Sequence, residues 1–239
     1  GEARVPVEET QALTGLESST FYHYRITATN SGGTSYGLDK TFSTALRPKW
    51  LLNGKEAIGA IKAEGTLTLK DTGLEVTAEC GINETGWVWG KEASIEKITG
   101  FKGESSITCH PIEAGWCGTS AIEVSAVNLS WSTELVDVPV ENSKHEVHYE
   151  YRLLYRGTNQ PGLTVKCAFM GSTATDNCLG ESTSHVENIT GGVATNFESK
   201  SPALTCTGSA LGTGSIEGTL TFKSTEEGKT LSVYGAPGP

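Results

Sequence analysis

Alternation of apolar and polar residues is the feature that most limits how this chain can fold. The longest alternating run, residues 144–156, places Val147 and Tyr149 on one side of an extended chain and Glu146 and Glu150 on the other. A period of two is typical of a half-buried β-strand, and no stretch shows a convincing helical period. The sequence therefore predicts an all-β protein.

Cysteine content and charge narrow the class of protein. The 6 cysteines are Cys80, Cys109, Cys117, Cys167, Cys178 and Cys206. Their number is even and no C-x2-C zinc spacing occurs, so we expect three disulfides and an extracellular or cell-surface location. The net charge of −10 argues against nucleic acid or an anionic membrane as a partner. No apolar run reaches the roughly 18 residues of a membrane span, so membrane insertion is not expected.

The pairing of the cysteines stays open in the sequence. Strand parity directs four of them inward and leaves Cys117 and Cys178 in Gly-rich loops. One scheme of short closures pairs Cys109 with Cys117, Cys167 with Cys178 and Cys80 with Cys206. A second scheme pairs Cys80 with Cys167 and Cys178 with Cys206. Sequence alone does not choose among the possible connectivities.

An alternating strand near the beginning of the chain carries a specific motif. Residues 20–29 place Tyr22, Tyr24, Ile26 and Ala28 on one face. Together with Leu16, Thr20 and the turn at 30–33, this spacing resembles the last third of a fibronectin type III domain. The resemblance covers about residues 7–45 and implies a tyrosine corner at Leu16 and Tyr22, with the phenol bonded to backbone upstream. Such a domain has roughly 100 residues, so its first strands would lie before Gly1.

The boundary between two domains is predicted beside Pro48, because proline favours an extended residue before it. The fold prediction is a partial fibronectin type III-like, immunoglobulin-like sandwich over residues 1–46 and a larger disulfide-tied β-sandwich over 47–239. Asn53-Gly54 predicts a tight hairpin at the start of the larger domain. This domain also resembles uncharacterised actinobacterial secreted proteins, a likeness that rests on Asn53-Gly54-Lys55, the Gly-Thr-Leu-Thr strands, the Cys80/Cys109/Cys117 spacing and Leu129-Ser130-Trp131.

Two further patterns describe the larger domain. The segment 64–70 recurs as 217–223, which predicts that the first and last hairpins are equivalent edges of one sandwich. Between Ala121 and Trp131 the apolar phase slips, which predicts a β-bulge near Ala126.

Possible catalytic and metal-binding motifs have structural explanations. His145 and His148 are three residues apart in a strand, so their side chains are expected on opposite faces and no metal site is predicted. Cys109-His110 has the chemistry of a thiolate and a base, but adjacent strand residues diverge and Cys109 is expected to be oxidised. Ser120 lacks the second glycine of a nucleophile elbow. We therefore predict no catalytic residue and no cofactor.

Trp87 and Trp89 are the residues that most suggest a ligand. Because they are two apart in a strand, they share a face and could form a stacking platform for a sugar ring. The alternative is that both fill the core beside Trp50 or Trp131, and this is the interpretation that the sequence favours.

The functional prediction is a non-catalytic extracellular structural protein, a subunit of a secreted filament, coat or stalk. The strand face of Tyr22, Tyr24, Ile26 and Ala28 would be completed by another copy of the chain or by an upstream fragment. The first alternative is a carbohydrate-binding adhesin module that uses Trp87 and Trp89. The second is a glycan hydrolase, for which no residue set stands out.

Overall fold

The computed structural model describes residues 10–18, 20–56, 58–100, 107–118, 120–140, 144–151, 160–198 and 204–238. The chain folds into two compact units, Gly1–Leu46 and Arg47–Pro239, with their boundary next to Pro48. The all-β prediction is confirmed, since the described residues form strands apart from loops and one 3-10 turn at Gly115–Cys117. Among the described residues no helix has the length and apolarity needed to span a membrane.

The small unit consists of two short strand pairs. Its strands are β1 (Phe21–Tyr24), β2 (Thr27–Asn30), β3 (Gly33–Tyr36) and β4 (Lys40–Ser43). β1 pairs with β4 and β2 with β3, so the run predicted as one strand is divided in two at Arg25 and Ile26. The Tyr22 hydroxyl accepts a hydrogen bond of 2.8 Å from the Glu17 N–H, which is the backward bond that the tyrosine-corner motif implies.

The large unit contains the remaining strands. They are β5 (Lys49–Leu52), β6 (Lys55–Glu56), β7 (Gly59–Asp71), β8 (Val76–Trp89), β9 (Glu92–Thr99), β10 (Ile107–Glu113), β11 (Ile122–Val127), β12 (Trp131–Val140), β13 (Lys144–Tyr151), β14 (Gly162–Phe169), β15 (Ser172–Leu179), β16 (Ser182–Ile189), β17 (Gly192–Phe197), β18 (Leu204–Gly208), β19 (Gly212–Ser224) and β20 (Leu231–Tyr234). Thirteen of them, β7 to β19, form one antiparallel, sandwich-like sheet.

This sheet closes into two rings that share three long strands. One ring, called the disulfide half, runs through β7, β8, β10, β11, β14, β15, β18 and β19 and returns to β7. The other, called the aromatic half, runs through β7, β8, β9, β12, β13, β16, β17 and β19. β8 pairs with β10 through residues 77–80 and with β9 through 83–89. Each long strand therefore passes from one ring into the other.

The repeated segment lies where the two rings meet. Within the repeat, residues 64–68 of β7 pair directly with residues 217–221 of β19, with Thr66 opposite Thr219. A Cβ on Gly65 would lie 2.0 Å from the Thr219 carbonyl oxygen, and one on Gly218 would lie 2.4 Å from the Thr66 carbonyl oxygen. The glycines of the repeat thus allow a close approach of two paired central strands. The prediction of equivalent outer edges is wrong.

All three disulfides lie in the disulfide half. They are Cys80–Cys109, Cys117–Cys167 and Cys178–Cys206. The scheme of short closures is wrong, and of the second scheme only Cys178–Cys206 occurs. The reason is strand pairing: Cys80 lies directly opposite Cys109 and Cys178 directly opposite Cys206. Cys178 belongs to β15 and not to a loop, whereas Cys117 lies in the 3-10 turn.

The aromatic half has a core of large rings. Trp50 and Tyr149 are fully buried and meet edge to face, and the Phe222 ring lies 6.0 Å from Trp50 and 5.4 Å from Tyr149 between centroids. Trp50 belongs to β5, which pairs with β6 and β20 in a small sheet that covers this core. The predicted Asn53-Gly54 hairpin joins β5 to β6, and both of its residues have positive φ. The Trp50 core therefore depends on a turn that the sequence specifies.

The phase slip between Ala121 and Trp131 is not a bulge. It marks the turn between β11 in the disulfide half and β12 in the aromatic half. Asn128 in that turn has a φ of 59°. The apolar phase changes because the chain leaves one ring and enters the other.

Candidate functional site

Trp87 and Trp89 lie on the outer surface of the aromatic half. Along β8 the inward positions Gly86 and Val88 are buried, while Trp87 is 50% and Trp89 37% exposed. The interpretation of these tryptophans as core is therefore wrong. They share one exposed face, as the platform hypothesis requires, and their Cα atoms are about 7 Å apart as in any strand.

Small neighbours leave the Trp87 ring uncovered. Trp87 pairs with Ala60 of β7 on one side and with Ser94 of β9 on the other. Neither side chain is large enough to cover an indole. Ile58, one residue before β7, adds a further exposed apolar side chain near the same end of the strand pair. The result is a shallow apolar surface centred on two tryptophans.

A β-bulge adds one carboxylate to β9 next to the strand positions opposite the tryptophans. Gly86 pairs with Ile95 and Thr85 with Lys97, so Glu96 is the extra residue of β9. Gly86 is required here, because a Cβ would lie 1.8 Å from the Ser94 carbonyl oxygen. Bulges commonly redirect side chains at functional sites.

The polar groups around the tryptophans are held in defined positions. The Trp89 Nε1–H donates a hydrogen bond of 2.8 Å to the Glu92 carboxylate. The hydroxyls of Ser130 and Ser94 both donate to the Glu96 carboxylate, and these two bonds lower the pKa of Glu96 below its ordinary value. Glu96 therefore stays ionised and accepts hydrogen bonds. We call Trp87, Trp89, Glu92, Ser94 and Glu96 the tryptophan face.

A small pocket that is partly open to solvent lies between the two halves. It measures about 40 Å³ and is lined mainly by apolar side chains, among them Leu67, Ile82, Ile216 and Leu204, together with the buried Glu84. A cavity that admits benzene measures about 150 Å³, so this one has no room for a sugar ring. Of the two features, only the tryptophan face offers a surface on which a saccharide can lie.

The predicted assembly strand is largely exposed within the small unit. Tyr22 is half-buried, and its ring stacks on Phe42 at 5.6 Å. Tyr24, Ile26 and Ala28 are exposed, Ile26 to 71%. These four residues no longer form one continuous face, because the strand is divided between Tyr24 and Thr27.

The other motifs are separated in the structure. Cys109 is oxidised and is not available as a nucleophile, and His110 beside it is exposed. The side chain of His145 lies outside the described residues. His148 lies on the outer face with Glu146 and meets His185 of β16, a neighbour that sequence reasoning missed because it comes from another strand. Glu92, Ser94 and Glu96 were also missed, although Gly86 before two tryptophans was a signal of a close strand approach.

Searches against protein-family models, curated proteins and solved structures find no match to this chain.

Proposed function

We propose that this chain is a non-catalytic extracellular protein that binds a neutral glycan on its tryptophan face. The observation that carries the proposal is that Trp87 and Trp89 are both exposed on the same face of β8. Three disulfides support an oxidising compartment such as the cell exterior.

The chemistry of the face favours a saccharide. Flat indole rings present apolar surface that packs on the C–H face of a sugar ring. The ionised Glu96 and the nearby Glu92 accept hydrogen bonds from sugar hydroxyls, and bonds to charged groups are the stronger ones. The same carboxylates repel anionic polymers, as does the net charge of −10. The ligand class is therefore a hydroxyl-rich, uncharged polysaccharide.

The test is binding of the purified protein to a panel of neutral polysaccharides by affinity electrophoresis and tryptophan fluorescence. Trp87→Ala and Trp89→Ala should each abolish or weaken binding at least tenfold and leave the midpoint of thermal unfolding almost unchanged, since exposed side chains contribute little to stability. Trp116→Ala is the matched control, because Trp116 is also 37% exposed but lies in the disulfide half. Wild-type protein that binds no member of the panel contradicts the proposal, as does equal binding by the double variant.

A second function, assembly through the small unit, is favoured by a separate observation. The described strands of this unit form only two-stranded pairs, which are marginal alone in water. The strands and their connections expose the apolar side chains of Phe21, Ile26, Tyr36 and Leu38, the last to 85%. We propose that the small unit of a second copy covers this surface and that repetition builds a filament or coat.

Assembly is tested by light scattering over a wide range of protein concentration. Ile26→Glu and Leu38→Glu should lower the mean mass toward that of a monomer. Met170→Glu is the control, because Met170 is 90% exposed in the large unit. Protein that stays monomeric at millimolar concentration rules this function out without bearing on glycan binding.

A further inference from the structure

A cluster of histidine and carboxylate side chains lies on the outer face of the aromatic half. Glu146 and His148 are two residues apart on β13, so their side chains leave the same face. His185 of β16 lies directly opposite His148, and their ring centroids are 4.3 Å apart. Strand pairing thus brings two imidazoles and one carboxylate together from segments that are far apart in sequence.

The spacing of the donor atoms fits a tetrahedral metal ion. The Glu146 Oε2 atom lies 3.4 Å from His148 Nε2 and 3.3 Å from His185 Nδ1. Ligands about 2.05 Å from a tetrahedral zinc ion are about 3.3 Å from one another. The three candidate ligand atoms all lie within 4.8 Å of one another. Two of the three ligand-to-ligand distances therefore already match a tetrahedral site.

A second carboxylate stands where an outer partner of a metal-bound histidine is expected. The Nε2 atom of His185 lies 3.6 Å from Glu198 Oε1, on the opposite side of the ring from Glu146. If Nδ1 binds a metal ion, Nε2 carries the hydrogen and points at Glu198. This carboxylate–histidine arrangement fixes the tautomer of the ligand and strengthens metal binding.

We propose that Glu146, His148 and His185 bind a divalent transition-metal ion, with Glu198 as a positioning residue. Two imidazole nitrogens and a carboxylate oxygen are a ligand set that suits zinc. The three side chains are partly exposed, so water can supply the fourth ligand. Glu187, two residues beyond His185, adds negative charge to the same strand. The ion would join β13 to β16 in the half of the large unit that contains no disulfide.

The experiment uses the whole protein after chelator treatment and dialysis, titrated with Zn²⁺ by calorimetry and with Co²⁺ by visible absorption. One site per chain is expected, with the intense d–d bands of a low-symmetry cobalt site. His148→Gln or His185→Gln should lower the affinity for zinc at least 100-fold, and Glu198→Gln by about tenfold. Circular dichroism verifies that each variant is folded. If a histidine variant is not folded, Glu146→Gln, which removes the third ligand, replaces it in the comparison.

The matched control is His23→Gln in the small unit. The His23 Nδ1 atom lies 2.7 Å from the Asp39 carboxylate, so this position has a histidine–carboxylate pair but no third ligand near it among the described residues. Its replacement should leave the affinity unchanged. The proposal is overturned if the wild type binds no zinc at micromolar concentration, if His185→Gln binds as tightly as the wild type, or if His23→Gln removes binding.

Discussion

The two halves of the large unit share three strands but are stabilised by different means. The disulfide half is crossed by three disulfides between buried cysteines. The aromatic half has none, and its interior is filled by Trp50, Tyr149 and Phe222. Both surface features proposed as binding sites, the tryptophan face and the histidine cluster, lie on the aromatic half. If both proposals hold, the ligand surfaces lie on the half that is held by packing and not on the half that is joined by disulfides.

Reduction is expected to have the largest effect, and it acts first on the disulfide half. Each bridge closes a loop between cysteines 28 to 50 residues apart and contributes about 2–4 kcal/mol. A domain has roughly 5–15 kcal/mol of stability in total. Because the two halves share three strands, loss of all three bridges should unfold the whole large unit at moderate temperature, as measured by circular dichroism with a phosphine reductant.

Tryptophan fluorescence sharpens this comparison. Of the 5 tryptophans, only Trp116 belongs to the disulfide half, so the fluorescence signal reports mainly on the aromatic half. Because β7, β8 and β19 pass through both halves, fluorescence and circular dichroism should give the same unfolding midpoint. Titration of six thiols with no fall in that midpoint would show that the bridges do not stabilise the fold.

Truncation of the aromatic core is expected to have the next largest effect. Trp50→Ala removes a fully buried indole that packs on Tyr149 and Phe222, and such changes cost about 3–5 kcal/mol. Urea unfolding measures the loss of stability. Trp116→Ala, at a partly exposed position in the disulfide half, should cost much less. Equal losses at the two positions would remove the distinction between a packed half and a bridged half.

A buried carboxyl group gives the disulfide half a pH dependence, which is the smallest expected effect. Asp71 is fully buried, and burial, with a smaller contribution from the nearby Asp176, raises the pKa of Asp71. Between the ordinary and the raised pKa, the folded protein holds a proton on Asp71 that the unfolded chain has released. The stability that the protonated Asp71 contributes is fully present below the ordinary pKa of aspartate and is lost as pH rises through the raised pKa.

The variant Asp71→Asn tests the direction in which stability changes with pH. The asparagine oxygen can still accept the N–H groups of Gly73 and Leu74, while the charge and its repulsion from Asp176 are removed. We expect the variant to gain about 1 kcal/mol over the wild type at pH 8 and little at pH 4, from urea unfolding at both values. Glu226→Gln, at an exposed turn, is the control. A gain that is larger at pH 4 would show that Asp71 is stabilised as a carboxylate.

Turn residues and the alternation of apolar and polar side chains predicted several local features of the structure. Asn53-Gly54 specified the β5–β6 turn, because both residues adopt positive φ readily. Alternation correctly put Val147 and Tyr149 inside and Glu146 outside. Parity also placed Trp87 and Trp89 on one face. That this face is the outer one follows from the structure, in which β8 runs unbroken from Val76 to Trp89 and buries the alternate positions.

The wrong cysteine pairing and the missed histidine cluster share one cause. Parity assigns a cysteine to the inside, but the partner is set by which strands are adjacent, as with Cys80 and Cys109. The same holds for His148, whose neighbour His185 belongs to a strand that no local pattern connects to it.

By itself the sequence determined the strand class, the Asn53-Gly54 turn and which side chains of a strand share a face, since these follow from a period of two and from the φ preferences of single residues. Only the tertiary structure decided that β7 pairs with β19 and approaches it closely at two glycines, that the sheet closes into two rings, and which side chains meet across strands. Closing a longer loop costs little extra entropy, so distant segments pair nearly as readily as near ones, and sequence separation does not reveal the neighbours.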